Sequence, residues 1–530
     1  MGKNKNKKYT EEQIEFVKNL VEKGESVTRS TMMMCLEFNL DYNENIGRRF
    51  RKIMQNRGVT NNVVVIEETD VFKEAQNKEH DSTKQRFLIS WAQSDTPVHK
   101  KFLKNMEAYA EHINAEILII AGRYKNPTSL SASKVLKDKE KNVKNSWDSL
   151  VLPYLDANRH NLHEHLVVLS DVKIQPTAST PLSSLNGLTG LESCIVGHPR
   201  SHLKFLPVLD GYPSKVLLTT GACTIENYTD TKIGKSSEFN HVLGCVIVEL
   251  DGDIFHIRQI CADKKGDFYD LSFKVKEGNI FNNDKIEVAV LGDIHLTSED
   301  KENVDTSFEM IGRFNPKHVV LHDIADMSSI SHHEKRNPFQ LLRREEDGSN
   351  SLEKELTYIK NWFKSRPKYN YIVPSANHND FIDRWLQNED WRKDGNKKLY
   401  LEFANITAKG LAPKGIIAYI LETEFDHIRC LGVDESYNVL GWELSLHGDR
   451  GSSGSRGSAV QFKNLNVKNI TGHSHTAIKL DGHLSVGTLT KLRMGYNLGM
   501  SSWSVSNVVI YPNGKAQHIH ITRGRYTTFY

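Results

Sequence analysis

The sequence predicts an α/β protein of more than one unit, and three observations carry that reading. Five short apolar runs, 288–291, 319–321, 371–373, 444–446 and 467–470, each read as a strand of an open α/β sheet. A similar alternation of strand-like and helix-like segments occupies residues 86–280, ahead of those runs. The first sixty residues show helical periodicity alone. At 530 residues the chain has length enough for two or three domains with substantial cores.

Taken in order, residues 1–60 read as a small helical module. Thr10 with Gln13 forms a capping-box pattern, and Ile14, Val17, Leu20 and Val21 give a helical stripe that Gly24 ends. Residues 30–38 suit a second helix. A third runs over 43–57, with Ile46, Phe50, Ile53 and Met54 on one face and Gly58 as the stop. Its other faces carry Arg48, Arg49, Arg51, Lys52 and Arg57, and the lysines at 3, 5, 7 and 8 add a basic arm. Three short helices with a basic last one suit a helix-turn-helix, which makes those five residues candidate DNA contacts. The competing reading is the solvated basic face of a small docking bundle.

Residues 61–85 are mostly polar and charged and read as a linker. From residue 86 a second, α/β domain is expected, with strands at 87–91, 117–120, 165–169, 216–220 and 242–248 and a helix over 98–113. Its histidine-bearing stretches, HNLHEH and GHPRSH, have spacings that match no metal motif, so they read as ordinary buried or surface histidines. The third domain spans 281–530. Near its end, apolar runs at 508–511 and 516–521 flank a Pro512-Asn513-Gly514 turn and read as a hairpin.

Composition narrows the function classes. The net charge of +3 sets no global field that dictates a nucleic-acid partner. None of the six cysteines lies in a C-x-x-C pair, which fits a reducing cytoplasm rather than a disulfide framework. No apolar run approaches a membrane span, and the N-terminus lacks the apolar core of a signal peptide. A soluble cytoplasmic protein is expected.

The chemistry sits at the ends of the five apolar runs. GDIH (residues 292–295), HDIAD (322–326), ANHND (376–380), LHGD (446–449) and GHSH (472–475) follow them in that order. Carboxyl ends of strands in an open sheet share one edge, so the five groups can converge there. Two carboxylates, one amide oxygen and four imidazoles, with His378 left over, suit a pair of divalent transition metals.

These motifs resemble those of the calcineurin-like metallophosphoesterases, whose pattern is D-x-H, G-D-x-x-D, G-N-H-D/E, a lone His and G-H-x-H. The resemblance covers residues 285–530 and implies a four-layer α/ββ/α sandwich, with the C-terminal hairpin completing its second sheet. It implies that Asp293, His295 and His475 hold one metal, that Asn377, His447 and His473 hold the other, and that Asp323 bridges them. His378 corresponds to the family's non-ligand histidine, which protonates the leaving oxygen or stabilises developing charge. Mn²⁺ is preferred for the mixed N/O set, with Zn²⁺ or Fe as alternatives.

Two departures bear on substrate class. His322 replaces a usual Gly and Met327 stands where phosphatase members continue through an Arg, while Ala376 and Asn379 alter the third motif. The missing arginine argues against a phosphoprotein phosphatase. Around the motifs, His332 and His333 and the loop 448–457 with Arg450 and Arg456 are candidate substrate-phosphate contacts; the same loop composition also suits a plain flexible segment. Asn497 to Ser501 loosely resembles an Asn/Gly/Ser turn that such families carry near the metals.

A candidate DNA-binding module joined to a two-metal phosphoesterase implies a metal-dependent phosphodiesterase, and DNA as its substrate. The layout is also similar to large phosphoesterases of tailed bacteriophages, including pre-early proteins linked to host-DNA degradation, and to the family's double-strand-break-repair nuclease branch. In a phage setting the compartment is the host cytoplasm. The alternatives are a phosphomonoesterase acting on nucleotides or phosphoprotein, and a DNA-binding scaffold with a residual metal site.

Overall fold

A computed structural model describes residues 9–22, 27–40, 42–57, 68–124, 146–283, 285–331, 337–465, 467–495 and 497–530. The basic arm, Gly24, Gly58, most of the first half of the expected linker and the His332–His333 pair lie outside the described residues. The chain divides into two compact units, Met1–Val71 and Phe72–Tyr530.

The first unit contains the three expected helices, Glu11–Glu22, Val27–Glu37 and Glu44–Asn56. The capping box forms reciprocally: the Gln13 amide donates to Thr10 Oγ1 at 3.2 Å and the Thr10 amide to Gln13 Oε1 at 3.1 Å. Asn43 caps the third helix by accepting from the Ile46 amide at 3.2 Å. Ile14, Val17, Val21, Met34, Cys35, Phe50 and Met54 form the core, so the periodic apolar stripes face one another.

The second unit is a mixed α/β assembly of several sheets. In a six-stranded sheet, Ile428–Cys430, Tyr371–Val373, His318–Leu321 and Val288–Leu291 run parallel. Ser506–Ile510 then pairs antiparallel with Val288–Leu291, and Ala516–His520 pairs antiparallel with Ser506–Ile510 at the sheet's edge. Alternate residues of this sheet go to opposite cores. Ala289, Leu291, Val319, Leu321, Tyr371 and Val373 pack with apolar residues of the helices Lys301–Phe314, Leu352–Lys364 and Ile416–Glu424. Val288, Val290, Val320, Ile372, Val508 and Ile510 instead pack on Trp442, Leu444, Ile470, Leu484 and Val486. Burial on both faces explains why these strands read as continuous apolar runs.

Most of that second set belongs to a ten-stranded sheet, and this sheet changes the expected layout. It runs from Asn438–Val439 through Lys468–Thr471 and Ile478–Leu480 to Leu203–Leu206, Lys215–Thr219 and on to Arg159–His163. Strand Ile478–Leu480 pairs antiparallel with Leu203–Leu206. The expected domain boundary at 280 therefore does not separate two compact units: backbone hydrogen bonds carry one sheet across it. A five-stranded sheet containing Arg86–Gln93 and Glu116–Gly122 covers the far part of the large sheet, through Ile89, Trp91, Ile120, Leu166, Val168, Ile195 and Leu218.

Three further expectations are corrected. The C-terminal hairpin extends the first, six-stranded sheet rather than the second, because it pairs with Val288–Leu291 and buries both of its faces. Residues 444–446 are not a strand; the strand is Trp442–Glu443, and Leu444 enters the core as the chain turns out of it. Within the expected linker, Glu68–Gln76 is helical, and Ala75 is buried with its carbonyl accepting from the Ala157 amide. On the outer face of the large sheet, opposite Leu484, the short helix Ala459–Lys463 stacks Phe462 on His483. Among the described residues, no helix is long and apolar enough to cross a membrane.

Candidate metal centre

The five motif groups do converge, but from two facing sheets rather than one edge. Asp293, Asp323 and Asn377 follow strands of the six-stranded sheet, and His447, His473 and His475 follow strands of the ten-stranded one. The donors reach a common point because the chain reverses sharply at each strand end. His295, Asp323, His473 and His475 all adopt positive φ, at 49°, 38°, 65° and 54°. Left-handed backbone costs a non-glycine residue roughly 1–3 kcal/mol and is held only where surrounding structure enforces it. Gly472 is obligatory here, since a Cβ on it would lie 2.2 Å from Asp293 Oδ1.

The donors form two sets that share one carboxylate. In the first, His295 Nε2 and His475 Nε2 face each other at 3.1 Å, and His475 Nε2 lies 3.1 Å from Asp293 Oδ2. In the second, Asn377 Oδ1 meets His447 Nε2 at 3.1 Å and His473 Nδ1 at 3.0 Å. Asp323 Oδ2 lies between them, 3.2 Å from His447 Nε2 and 3.9 Å from His295 Nε2. Among the described residues, every group of three or more His and carboxylate donors with metal-holding geometry falls in this centre.

Hydrogen bonding alone does not satisfy this cluster. Two imidazole nitrogens 3.1 Å apart can share at most one proton between them. Asp293 Oδ1 is buried with no partner, a costly state for a carboxylate oxygen. Cations at the two donor sets would relieve both conditions, so the residues fit a pair of metal ions.

Electrostatics agree. Burial pushes the Asp293 carboxyl up, but the His475 hydrogen bond and the charge on His447 bring it down to about 2. Asp323, also opposed by burial, is drawn far below the usual carboxylate range chiefly by His447. His447 itself, although desolvated, is lifted to about 9 by Asp323. Burial brings His295 down to about 4. Two buried carboxylates are thus held ionised.

His378 stands apart in its bonding. Its Nδ1 donates a hydrogen bond to the Asp326 carbonyl at 3.1 Å, and its amide donates to Asp323 Oδ1 at 3.1 Å. That contact leaves Nε2 available on the donor cluster, where His295, Asp323 and His378 also come together. Three residues adjoin the site to which motif reading gave no role, His322 having been noted only as a departure from the pattern. His322 is fully buried with Nδ1 3.5 Å from His447 Nδ1. Trp503 and His475 pack edge to face, with ring centroids 4.2 Å apart. Arg384 lines a cavity of about 560 Å³ together with Asn377, His473, Asp449, Arg450 and Arg456. The DFIDR run after ANHND was the available signal for Arg384: helical spacing places it one turn beyond Asp380.

Other expectations divide. Arg450 and Arg456 do line the space beside the donors. In the 497–501 turn Asn497 bonds to Met494, Leu492 and Ser501, and Ser501 pairs with Val208. On the helical unit Arg48, Arg49, Arg51 and Lys52 are exposed. Arg57 is exposed as well and pairs with Glu11 at 2.6 and 2.7 Å. The histidines of the middle segment are tied internally, His160 to Asp156, His202 to Asp481 and His198 to the Gln175 carbonyl.

The chain is similar to Protein A1 of Escherichia phage T5, with 29% identity over 473 residues that cover 83% of this chain and 82% of that protein. No family model matches the chain. No solved structure matches it.

Proposed function

We propose that this protein is a metal-dependent phosphodiesterase that hydrolyses DNA. The single observation that carries the reading is the placement of Asp323 Oδ2 between the Asp293–His295–His475 set and the Asn377–His447–His473 set. Two divalent ions bound there, Mn²⁺ in preference to Zn²⁺ or Fe, would supply an activated water and a clamp on the oxygens of an in-line displacement at phosphorus. The neutral oxygen of Asn377 limits negative charge where an anionic substrate must approach. His378, with Nδ1 committed to the Asp326 carbonyl, presents Nε2 to protonate the leaving oxygen.

Support for DNA comes from the exposed basic face of Glu44–Asn56, and the similarity to a phage protein suits action in a host cytoplasm. The testing experiment uses full-length protein stripped with chelator and reloaded with Mn²⁺. Metal analysis should find two ions per chain, and linear duplex should be cut in preference to a generic phosphomonoester. One ion or none, or hydrolysis of the monoester alone, refutes the reading. His378→Ala should cut turnover on the order of 10²-fold with both ions retained. Removing residues 1–60 should weaken duplex binding and lower its salt dependence while a small chromogenic diester is still hydrolysed.

A further inference from the structure

We propose that the cavity beside His473 seats a second phosphate of an oligonucleotide, adjacent to the phosphate under attack, on Arg384, Arg450 and Arg456. This inference rests on the phosphodiesterase reading and specifies its substrate: a chain carrying a neighbouring phosphate rather than an isolated diester.

The loop that carries two of these arginines is folded, not slack. The Gly451 amide donates to the Ser455 carbonyl at 2.6 Å and the Gly457 amide to the Asp449 carbonyl at 3.1 Å. Gly457 packs so closely that a Cβ would fall 2.0 Å from the Gly448 carbonyl oxygen. The result is an antiparallel bridge that sets Arg450 directly opposite Arg456. Like charges opposite each other across a bridge destabilise it. Arg384 comes to the same cavity from the helix Phe381–Asn388.

The charges are unevenly answered. Arg450 bonds to Asp380 at 2.5 Å and lies 3.6 Å from Asp449. Among the described residues, the Arg384 and Arg456 guanidinium groups make no hydrogen bond or ion pair; Arg384 lies over the Phe381 ring at 6.0 Å and its charge acts on Asp380 without a direct bond. Asp449 is the one carboxylate in the lining. Two guanidinium forks whose donors are unbonded, with a third anchored beside them, match the oxygens of a phosphate. At about 560 Å³ the space takes a nucleotide-sized group. Asn377 and His473 belong both to its wall and to the candidate donors, so one strand can occupy both places.

The test compares substrates within each protein, so that differences in folded fraction cancel. Mn²⁺-loaded full-length chain is assayed on dithymidine monophosphate diester without a terminal phosphate and on the same dinucleotide phosphorylated at the 5′ or the 3′ end. One phosphorylated form should exceed the unphosphorylated one by about tenfold or more in kcat/KM, the effect of one good charge-assisted contact. Arg384→Gln and Arg456→Gln should each erode that ratio, and the double variant should bring it close to one. No preference in the unaltered protein, or full preference in the double variant, overturns the proposal.

Should no diester be cut at all, the phosphodiesterase reading fails, and calorimetry decides the cavity separately. Metal-free protein should bind the phosphorylated dinucleotide about tenfold more tightly than the double variant does. Equal binding overturns the clamp, and a phosphoserine peptide bound as tightly as the dinucleotide overturns its assignment to nucleic acid.

Discussion

Two buried polar clusters in the same unit look alike by composition and differ in how completely they are satisfied. Around Arg258, Asp270 accepts from Arg258 Nε at 2.7 Å, Arg258 Nη2 at 2.9 Å, Tyr109 Oη at 2.8 Å and Gln517 Nε2 at 2.9 Å. Glu249 lies 2.5 Å from Arg258 and takes further bonds from Thr527 and Thr528. Apart from Arg258 Nη1, its buried atoms have partners. At the Asp293–Asp323 cluster, nitrogen faces nitrogen and Asp293 Oδ1 has no donor. Both clusters bury two carboxylates; Arg258 answers the first pair with two bonds to Asp270 and one to Glu249, whereas at the second His447 is the chain's cation and Asp293 Oδ1 stays unmet. The first network is nearly saturated, whereas the second is unsaturated and kept on strained backbone.

That contrast can be broken by substitution, and the largest effect should fall on the saturated cluster. Arg258→Ala strands two buried carboxylates and should cost about 3–5 kcal/mol of unfolding free energy in denaturant titrations. A loss below about 1 kcal/mol would remove the distinction drawn here.

Acid should separate the clusters next. Burial raises the Glu249 carboxyl, but the charge of Arg258 and the bonds from Thr528 outweigh it and hold it at about 2 against an ordinary value of 4.5. Its contribution is therefore present in full above about pH 4.5 and disappears as pH falls toward 2. Linkage puts that contribution at roughly 3 kcal/mol. Denaturation midpoints followed from pH 5 to pH 2 should fall steeply in the parent protein and less steeply in Glu249→Gln; parallel curves would show that Glu249 carries none of the slope.

The smallest change in stability is expected at the unsaturated cluster. Asp293→Asn should alter the unfolding free energy of chelator-treated protein by no more than about 2 kcal/mol, because it removes a charge whose second oxygen is unmet. The same substitution should lower the bound Mn²⁺ measured by metal analysis. Intact metal content after Asp293→Asn would place the ions elsewhere.

The sequence by itself determined the local features. Helical stripes with caps at Thr10 and Asn43, doubly buried strands such as Val288–Leu291, and the order of the His, Asp and Asn groups all follow from spacing and residue type, which act over a few neighbours. Tertiary structure alone decided which sheet each strand joined. A hairpin such as Ser506–Ile510 with Ala516–His520 is apolar enough for either sheet, and only its pairing with Val288–Leu291 settles the choice. The same holds for the strand pairing across residue 280, which no local pattern encodes. At the candidate site, the clustered His, Asp and Asn side chains were legible because each belongs to a short motif that follows an apolar run. Arg384 and Trp503 were not, since an arginine or tryptophan has many ordinary uses and acquires a particular one only when folding brings distant segments together.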